Sequence, residues 1–267
     1  MKKFISILLI ITMLVLGVLL NFAGCADKDK GVKSGSKIVA SSDNFEISYS
    51  MMEYFANSYY QNWYSNNYYY ILLGYVNFNP NDPLDEQYID SSKTFTYYDY
   101  FVDGTKTTVE TYLKYCEAAK ADATVDFTQL ENDANAYAEE SIAQLREAAE
   151  EYSDASYQDG GTKVSFTDYI KTNFGESVTV DALKQALVIE HIASSYYEIV
   201  HQRTNEEDLN AWFEALPSYN VQFEDDVFRN IFNNSFQPQF TGNNDLVVGD
   251  DFVVVLPVNP DNSGHNH

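Results

Sequence analysis

The sequence predicts a mainly α-helical protein, a multi-helix domain with a short N-terminal β-hairpin and a small C-terminal β segment. Three observations predict it. Between residues 94 and 216 apolar side chains return every three or four positions in stretch after stretch, the period of one helix face. Before residue 50, two short extended runs flank the turn-forming Ser41-Ser42-Asp43-Asn44. After Pro217 the pattern changes to extended runs separated by asparagine and glycine.

The chain opens with Lys2 and Lys3, followed from Phe4 to Leu20 by large apolar residues interrupted only by Ser6, Thr12 and Gly17. That charged-then-apolar layout is an export signal. A membrane span needs roughly 20 apolar residues and this run comes close, so the exit decides. Phe22-Ala23-Gly24-Cys25 places two small residues and a cysteine directly after the apolar run. It resembles the lipobox of bacterial lipoproteins, with Phe22 where leucine is usual. The resemblance implies that residues 1–24 are removed, that Cys25 is lipidated, and that the mature protein sits on the outer face of the cytoplasmic membrane after general export. Two acyl chains anchor stably at ~0.8 kcal/mol per buried CH₂, a condition that a diacylglyceryl cysteine meets.

The formal charge is −24, and losing residues 1–24, with two lysines and no acid, moves it to −26. Such a surface repels phosphate backbones and anionic headgroups, so nucleic acid is not an expected partner and contact with the membrane is through the lipid. Only Cys116 remains beside Cys25, so stability must come from packing rather than an internal disulfide. Cys116 lies on the apolar stripe of Tyr112-Leu113-Lys114-Tyr115-Cys116, the setting of a core thiol rather than a nucleophile.

In chain order, residues 25–36 are small, charged and glycine-containing, a flexible tether. Residues 38–40 and 45–47 form the hairpin. Ser50 with Glu53 three positions on reads as a capping box, starting a helix near Met51. A second helix spans 94–121 on the stripe Phe95, Tyr98, Val102, Val109, Tyr112, Cys116 and Ala119, with Asp103-Gly104 a candidate kink. A third carries Ala134, Ala138, Ile142, Leu145, Ala149 and Tyr152 and stops before Asp159-Gly160-Gly161. A short helix over 166–174 is broken by Gly175. A longer one over 180–201 presents Ala182, Ala186, Ile189, Ala193, Tyr196 and Val200, and a last one over 205–216 is capped by Thr204 or Asn205 and ended by Pro217. Runs 219–223, 227–232 and 246–256 read as strands within a β segment over 218–257, and 258–267 as a disordered tail.

The first helix holds Tyr54, Phe55, Tyr59, Tyr60, Trp63, Tyr64, Tyr68, Tyr69 and Tyr70 before Asn79-Pro80 and Pro83 interrupt it, more aromatics than one face accommodates. Two readings stand open. One is an exposed aromatic surface that grips extended polypeptide or stacks on sugar rings; the other is tyrosines filling an amphipathic interface, rings inward and hydroxyls wet. On the first reading, Tyr59, Tyr60, Trp63, Tyr68 and Tyr69 are the candidate polypeptide-binding residues.

Three stretches together resemble one family. Ile47-Ser48-Tyr49-Ser50-Met51-Met52-Glu53-Tyr54-Phe55 after a short hairpin looks like the entry to the SurA-type chaperone domain. Tyr97-Tyr98-Asp99-Tyr100-Phe101, opening a helix that closes with Tyr115-Cys116-Glu117-Ala118-Ala119-Lys120, is similar to its second long helix. Asp168-Tyr169-Ile170-Lys171-Thr172-Asn173-Phe174-Gly175-Glu176-Ser177-Val178-Thr179, then Leu183-Lys184 and Tyr196-Tyr197, resembles its short-helix, glycine-turn, long-helix segment. Residues 37–217 would then form a SurA N-terminal-like domain that cradles unfolded or exported polypeptides, as in the PrsA-like foldases and exported lipoproteins of Gram-positive bacteria. In the foldases the helices embrace a parvulin-type peptidyl-prolyl isomerase. Here 50 residues follow Pro217, whereas a domain needs on the order of 100, and the only histidines among them are His265 and His267. No isomerase chemistry, and no catalytic residue, is expected.

Other chemistry finds little support. His191 and His201 lie ten apart on one helix and cannot converge as an i, i+4 zinc pair would. His265-Asn266-His267 is a loose metal motif at best, neighbours in Asp225-Asp226 and Asp250-Asp251 would point to opposite strand faces, and Gly160-Gly161-Thr162-Lys163 lacks the strand and glycine spacing of a phosphate loop. No cofactor and no metal are expected. The expectation is a lipid-anchored, chaperone-like holding protein for exported polypeptides. The alternative is a surface-binding or structural lipoprotein that recognises a glycan, a wall polymer or one fixed protein partner.

Overall fold

The computed structural model describes residues 37–158, 161–204, 206–216, 223 and 226–234. The signal, Cys25, the tether, the runs 219–222 and 246–256, the candidate cap Asn205, the helix-ending Pro217 and the tail all lie outside the described residues.

Strands β1 (Ile38–Ser41) and β2 (Glu46–Ser48) pair antiparallel, with Ala40 opposite Ile47 and Ser41 opposite Glu46. Glu117, buried on a later helix, clamps the turn between them. Its carboxylate accepts from Ser42 Oγ, the Asn44 backbone N–H and Asn44 Nδ2, each at 2.6 Å. β2 runs directly into α1 (Tyr49–Leu72), whose N-cap is Ser48, accepting from Met51 N–H at 3.3 Å. The expected Ser50/Glu53 capping box is therefore corrected. Both residues fall inside the helix and turn inward, Ser50 Oγ donating to Ser177 O at 2.5 Å and Glu53 accepting from Ser177 N–H at 2.9 Å and from Ser177 Oγ. The Glu53 carboxylate does meet a backbone N–H, but one that lies 124 residues away.

After a 3₁₀ turn at Leu84–Glu86, α2 (Tyr97–Ala121) begins three residues later than expected. Thr96 and Asp99 form its reciprocal capping box, while Asp90 holds Thr94 and Phe95 in the preceding loop. The helix runs unbroken through Asp103-Gly104. Gly104 serves close approach rather than bending, because the Tyr59 ring occupies the space that a Cβ would need. Helix α3 (Phe127–Gln158) buries Leu130, Ala134, Ala138, Leu145 and Ala149, and α4 (Phe166–Phe174) starts on Ser165 and stops at Gly175. Gly175 has φ +129°, and Glu53 and Asn57 lie so close that a side chain there would displace them.

Helix α5 (Val180–Arg203), capped by Thr179, occupies the centre and packs against α3, α2 and α1. Its buried Ala182, Ala186 and Ala193 face helices that also present alanines, which lets the axes approach closely. Helices α6 (Glu206–Ala215) and α7 (Val227–Asn234) follow. The strand expected over 227–232 is thus a helix. Val227, Phe228, Ile231 and Phe232, all buried, sit at i, i+1, i+4 and i+5, the spacing of a helix face, and Phe232 packs 6.2 Å from Phe101 and 6.0 Å from Tyr98. Within the described residues, the protein is mainly helical with one two-stranded antiparallel hairpin at its N-terminal end.

Candidate functional site

Helix α1 has two regimes along its length. Its first three turns are enclosed: Tyr54, Phe55 and Tyr60 are buried, and Tyr54 packs 5.7 Å from Phe174. Next comes an aromatic nucleus around Phe101, whose ring lies 4.9 Å from Tyr60 and 5.2 Å from Trp63, with Phe78 edge-on to Tyr97 at 4.8 Å. Rings crossing at such angles set positive edge against negative face, the preferred aromatic geometry. Of the five candidate binding residues, Tyr60 is 1% exposed and belongs to this nucleus. Tyr59 is half-buried against Tyr100 and Gly104, Trp63 is half-buried against Phe78, Tyr97 and Phe101, and Tyr68 is half-buried beside Tyr64. Burial raises the phenol pKa of Tyr59 and Tyr60 well above the ordinary range. Only Tyr69 is openly exposed, at 49%.

The last turn of α1 and Tyr75 turn most of their side chains to solvent, before Val76 and Phe78 pack back on the core. Tyr70 is 56%, Leu72 64%, Leu73 66% and Tyr75 78% exposed. Stepping 100° per residue, Tyr69, Tyr70, Leu72 and Leu73 surround the helix except on the side of Ile71, which packs inward. The projection is ordered by its backbone. Gly74, at φ +76°, donates to Ile71 O at 3.0 Å while Tyr75 N–H donates to Tyr70 O at 2.8 Å, the paired bonds of a Schellman turn. This turn ends the helix at Leu72, before the prolines expected to end it. Sequence reasoning passed over Tyr70, Leu72, Leu73 and Tyr75. A signal was present: from Tyr54 to Asn81, 28 residues carry no charge, in a chain whose net charge is −24.

Among the described residues, the buried apolar faces of the helices pack on one another in a contiguous core. A cleft of about 170 Å³ between the 3₁₀ turn, the start of α2 and α7 is lined by Asp85, Thr96, Tyr98, Asp99 and Arg229. That is below the ~300–1,000 Å³ of ordinary ligand pockets.

The remaining reactive groups are structurally engaged. Cys116 Sγ donates to Ile189 O at 3.5 Å, and burial pushes its thiol far above the usual range, the state of an inert core cysteine. His191 stacks on Tyr137 at 4.3 Å, and burial lowers its pKa; His201 stacks on Tyr197 at 5.7 Å. Glu190 is the exception in character. It sits on α5 where tyrosines from three other helices converge, accepting from Tyr54 OH at 3.1 Å with Tyr112 and Tyr137 beside it, and burial lifts its carboxyl from 4.5 to about 7. Among the described residues, no three His, Cys, Asp or Glu side chains are placed to hold a metal ion, and no helix is long and apolar enough to cross a membrane. Of the acidic and glycine motifs, Asp225, Asp250, Asp251 and Gly160 fall outside the described residues, as do His265 and His267.

No family model matches the chain, and no curated protein or solved structure matches it.

Proposed function

We propose that this is a lipid-anchored, extracytoplasmic, chaperone-like protein that holds apolar segments of exported polypeptides at the free end of α1, with no isomerase chemistry. The observation that carries the reading is the ordered, uncharged, apolar projection formed by Tyr69, Tyr70, Leu72, Leu73 and Tyr75. Tyrosine and leucine side chains offer sequence-tolerant contacts, and the phenol hydroxyls keep the surface wet when vacant. The acidic remainder of the chain keeps a loaded complex dispersed.

Geometry supports a role facing away from the bilayer. The 24 residues of α1 span ~36 Å. Its first residue is tied to the point where the tether enters, Tyr49 N–H donating to Lys37 O at 2.7 Å. The twelve residues 25–36 can reach no farther than ~40 Å. A lipid on Cys25 therefore holds the near end of α1 by the membrane and leaves the apolar end free to meet emerging chains. The resemblance to SurA-type domains points the same way.

The test uses the full chain and a variant carrying Tyr69→Ser, Leu72→Ser, Leu73→Ser and Tyr75→Ser. These exposed positions cost little stability, within about 0.5 kcal/mol each. Light scattering of a reduced model protein should be suppressed by the wild type and not by the variant, and neither should accelerate prolyl isomerisation. Equal suppression by both chains would defeat the assignment to this end of α1, and no suppression by either would defeat the holding function.

A further inference from the structure

Apart from Ile38, every exposed large hydrophobic side chain among the described residues lies between residues 69 and 89, at the end of α1 and in the loop that leads to α2. That loop folds back on the helix. Phe78 packs edge-on against Trp63 at 5.0 Å and lies 6.2 Å from Tyr64, and Gln87 Nε2 donates to Asn79 O and Asp82 O at 2.9 Å, joining the two arms of the loop. Its charge is one-sided. Between residues 76 and 99 stand Asp82, Asp85, Glu86, Asp90 and Asp99, against the single base Lys93. Arg229 of α7 enters the cleft beside Asp85 and Asp99, yet none of the five carboxylates makes an ion pair with a described residue. Hydrogen bonds from the Ser92 hydroxyl, the Phe95 N–H and Thr94 keep Asp90 ionised, far below the usual carboxylate range. Lys93 displays the chemistry that this surface accepts: its Nζ stands 5.9 Å from the centroid of the exposed Tyr88 ring, a cation over an aromatic face.

We propose that the polypeptide segments held at the end of α1 are apolar stretches flanked by lysine or arginine, with their apolar side chains on Tyr69, Tyr70, Leu72, Leu73 and Tyr75 and their cations on the acidic loop beside it. Such a substrate class rests on the polypeptide-holding role of that end and makes it selective.

The two halves of the surface are spaced for one segment. Phe78 anchors the loop at Tyr64, and Leu72 lies eight residues farther along α1, or ~12 Å. An extended chain crosses that distance in about four residues. A stretch of apolar residues with a basic residue about four positions beyond it therefore reaches both. The exposed tyrosine faces add about 0.5–1 kcal/mol for each ammonium or guanidinium group they receive. An acidic segment meets repulsion from the same loop, so a chain of net charge −24 does not bind its own acidic surfaces there.

The experiment uses the full-length protein and peptides with one shared centre of leucine and phenylalanine, carrying lysines, serines or glutamates on both sides and an uncharged fluorophore. At ~0.05 M salt, fluorescence anisotropy should show the lysine peptide binding at least about tenfold more tightly than the serine peptide, with the glutamate peptide weakest, and the gap should narrow at ~0.5 M salt. Asp82→Asn/Asp85→Asn/Glu86→Gln, all at exposed positions, should bring the lysine peptide to within about threefold of the serine peptide and leave the serine peptide's binding unchanged. Glu147→Gln/Glu150→Gln/Glu151→Gln, which removes the same charge from the exposed face of α3, should keep the preference. An equal loss of preference in both variants would overturn the proposal, because overall charge would then decide. Binding of all three peptides alike would overturn it and leave the holding role standing, whereas binding of none would remove both.

Discussion

Replacing Glu190 with glutamine should make this protein more stable at alkaline pH and leave it nearly unchanged at pH 4.5. The carboxyl lies where α1, α2, α3 and α5 meet, facing the hydroxyls of Tyr54, Tyr112 and Tyr137, and burial raises it from 4.5 to about 7. A raised carboxyl binds its proton more strongly in the folded chain than in the unfolded one, so its contribution is fully present below pH 4.5 and is lost as pH rises through 7. At 1.36 kcal/mol per pH unit, the gap between 4.5 and about 7 corresponds to a loss of about 3 kcal/mol. Glutamine keeps an oxygen for the Tyr54 hydroxyl and never ionises. Urea unfolding of both chains at pH 4.5, 6, 7 and 8 and fixed ionic strength measures the difference, in which the general repulsion of an acidic surface cancels. The variant should gain on the wild type progressively across that window, by up to about 3 kcal/mol at pH 8. A difference that does not vary with pH, or a variant less stable at pH 8, would refute the reasoning.

Gly104→Ala should destabilise the protein by about 1–3 kcal/mol, although alanine favours helices, because the new methyl meets the Tyr59 ring; Gly104→Ala/Tyr59→Ala should recover part of the loss in thermal melts. Asn230→Pro should cost about 3 kcal/mol or more by breaking α7, and a chain that tolerates it would speak for an extended segment there. Cys25→Ser should move the protein from the membrane fraction to the soluble fraction of cells, and a protein that stays on the membrane would rule out lipid on Cys25 as its anchor.

The long central helices were legible because their apolar positions repeat over many turns. Ala182, Ala186, Ile189, Ala193, Tyr196 and Val200 are all buried, as the spacing along α5 requires. Short segments gave less. Residues 227–232 contain valine, isoleucine and two phenylalanines, types that favour strands, and eight residues of helix offer too few turns for the 3.6-residue period to outvote that composition. The start of α1 misled for a different reason: a local capping pattern and a long-range contact both need a carboxylate near a backbone N–H, and sequence spacing does not reveal which donor is used. Among the tyrosines of α1, periodicity could not separate Tyr60 in the aromatic nucleus from Tyr69 in solvent. Which turn of that helix outruns its neighbours depends on the lengths and crossings of α2 and α5, information spread across the chain.

The grip of Glu117 on the hairpin turn also decides how the domain bears load. Tension on the chain before Lys37 arrives at β1, whose pairing with β2 and whose turn, held by Ser42 and Asn44, pass the pull across to α2. The first turn of α1 shares the load through the Tyr49 N–H bond to Lys37 O, and a protein tugged from its N-terminal side is braced at two helices instead of being peeled from one.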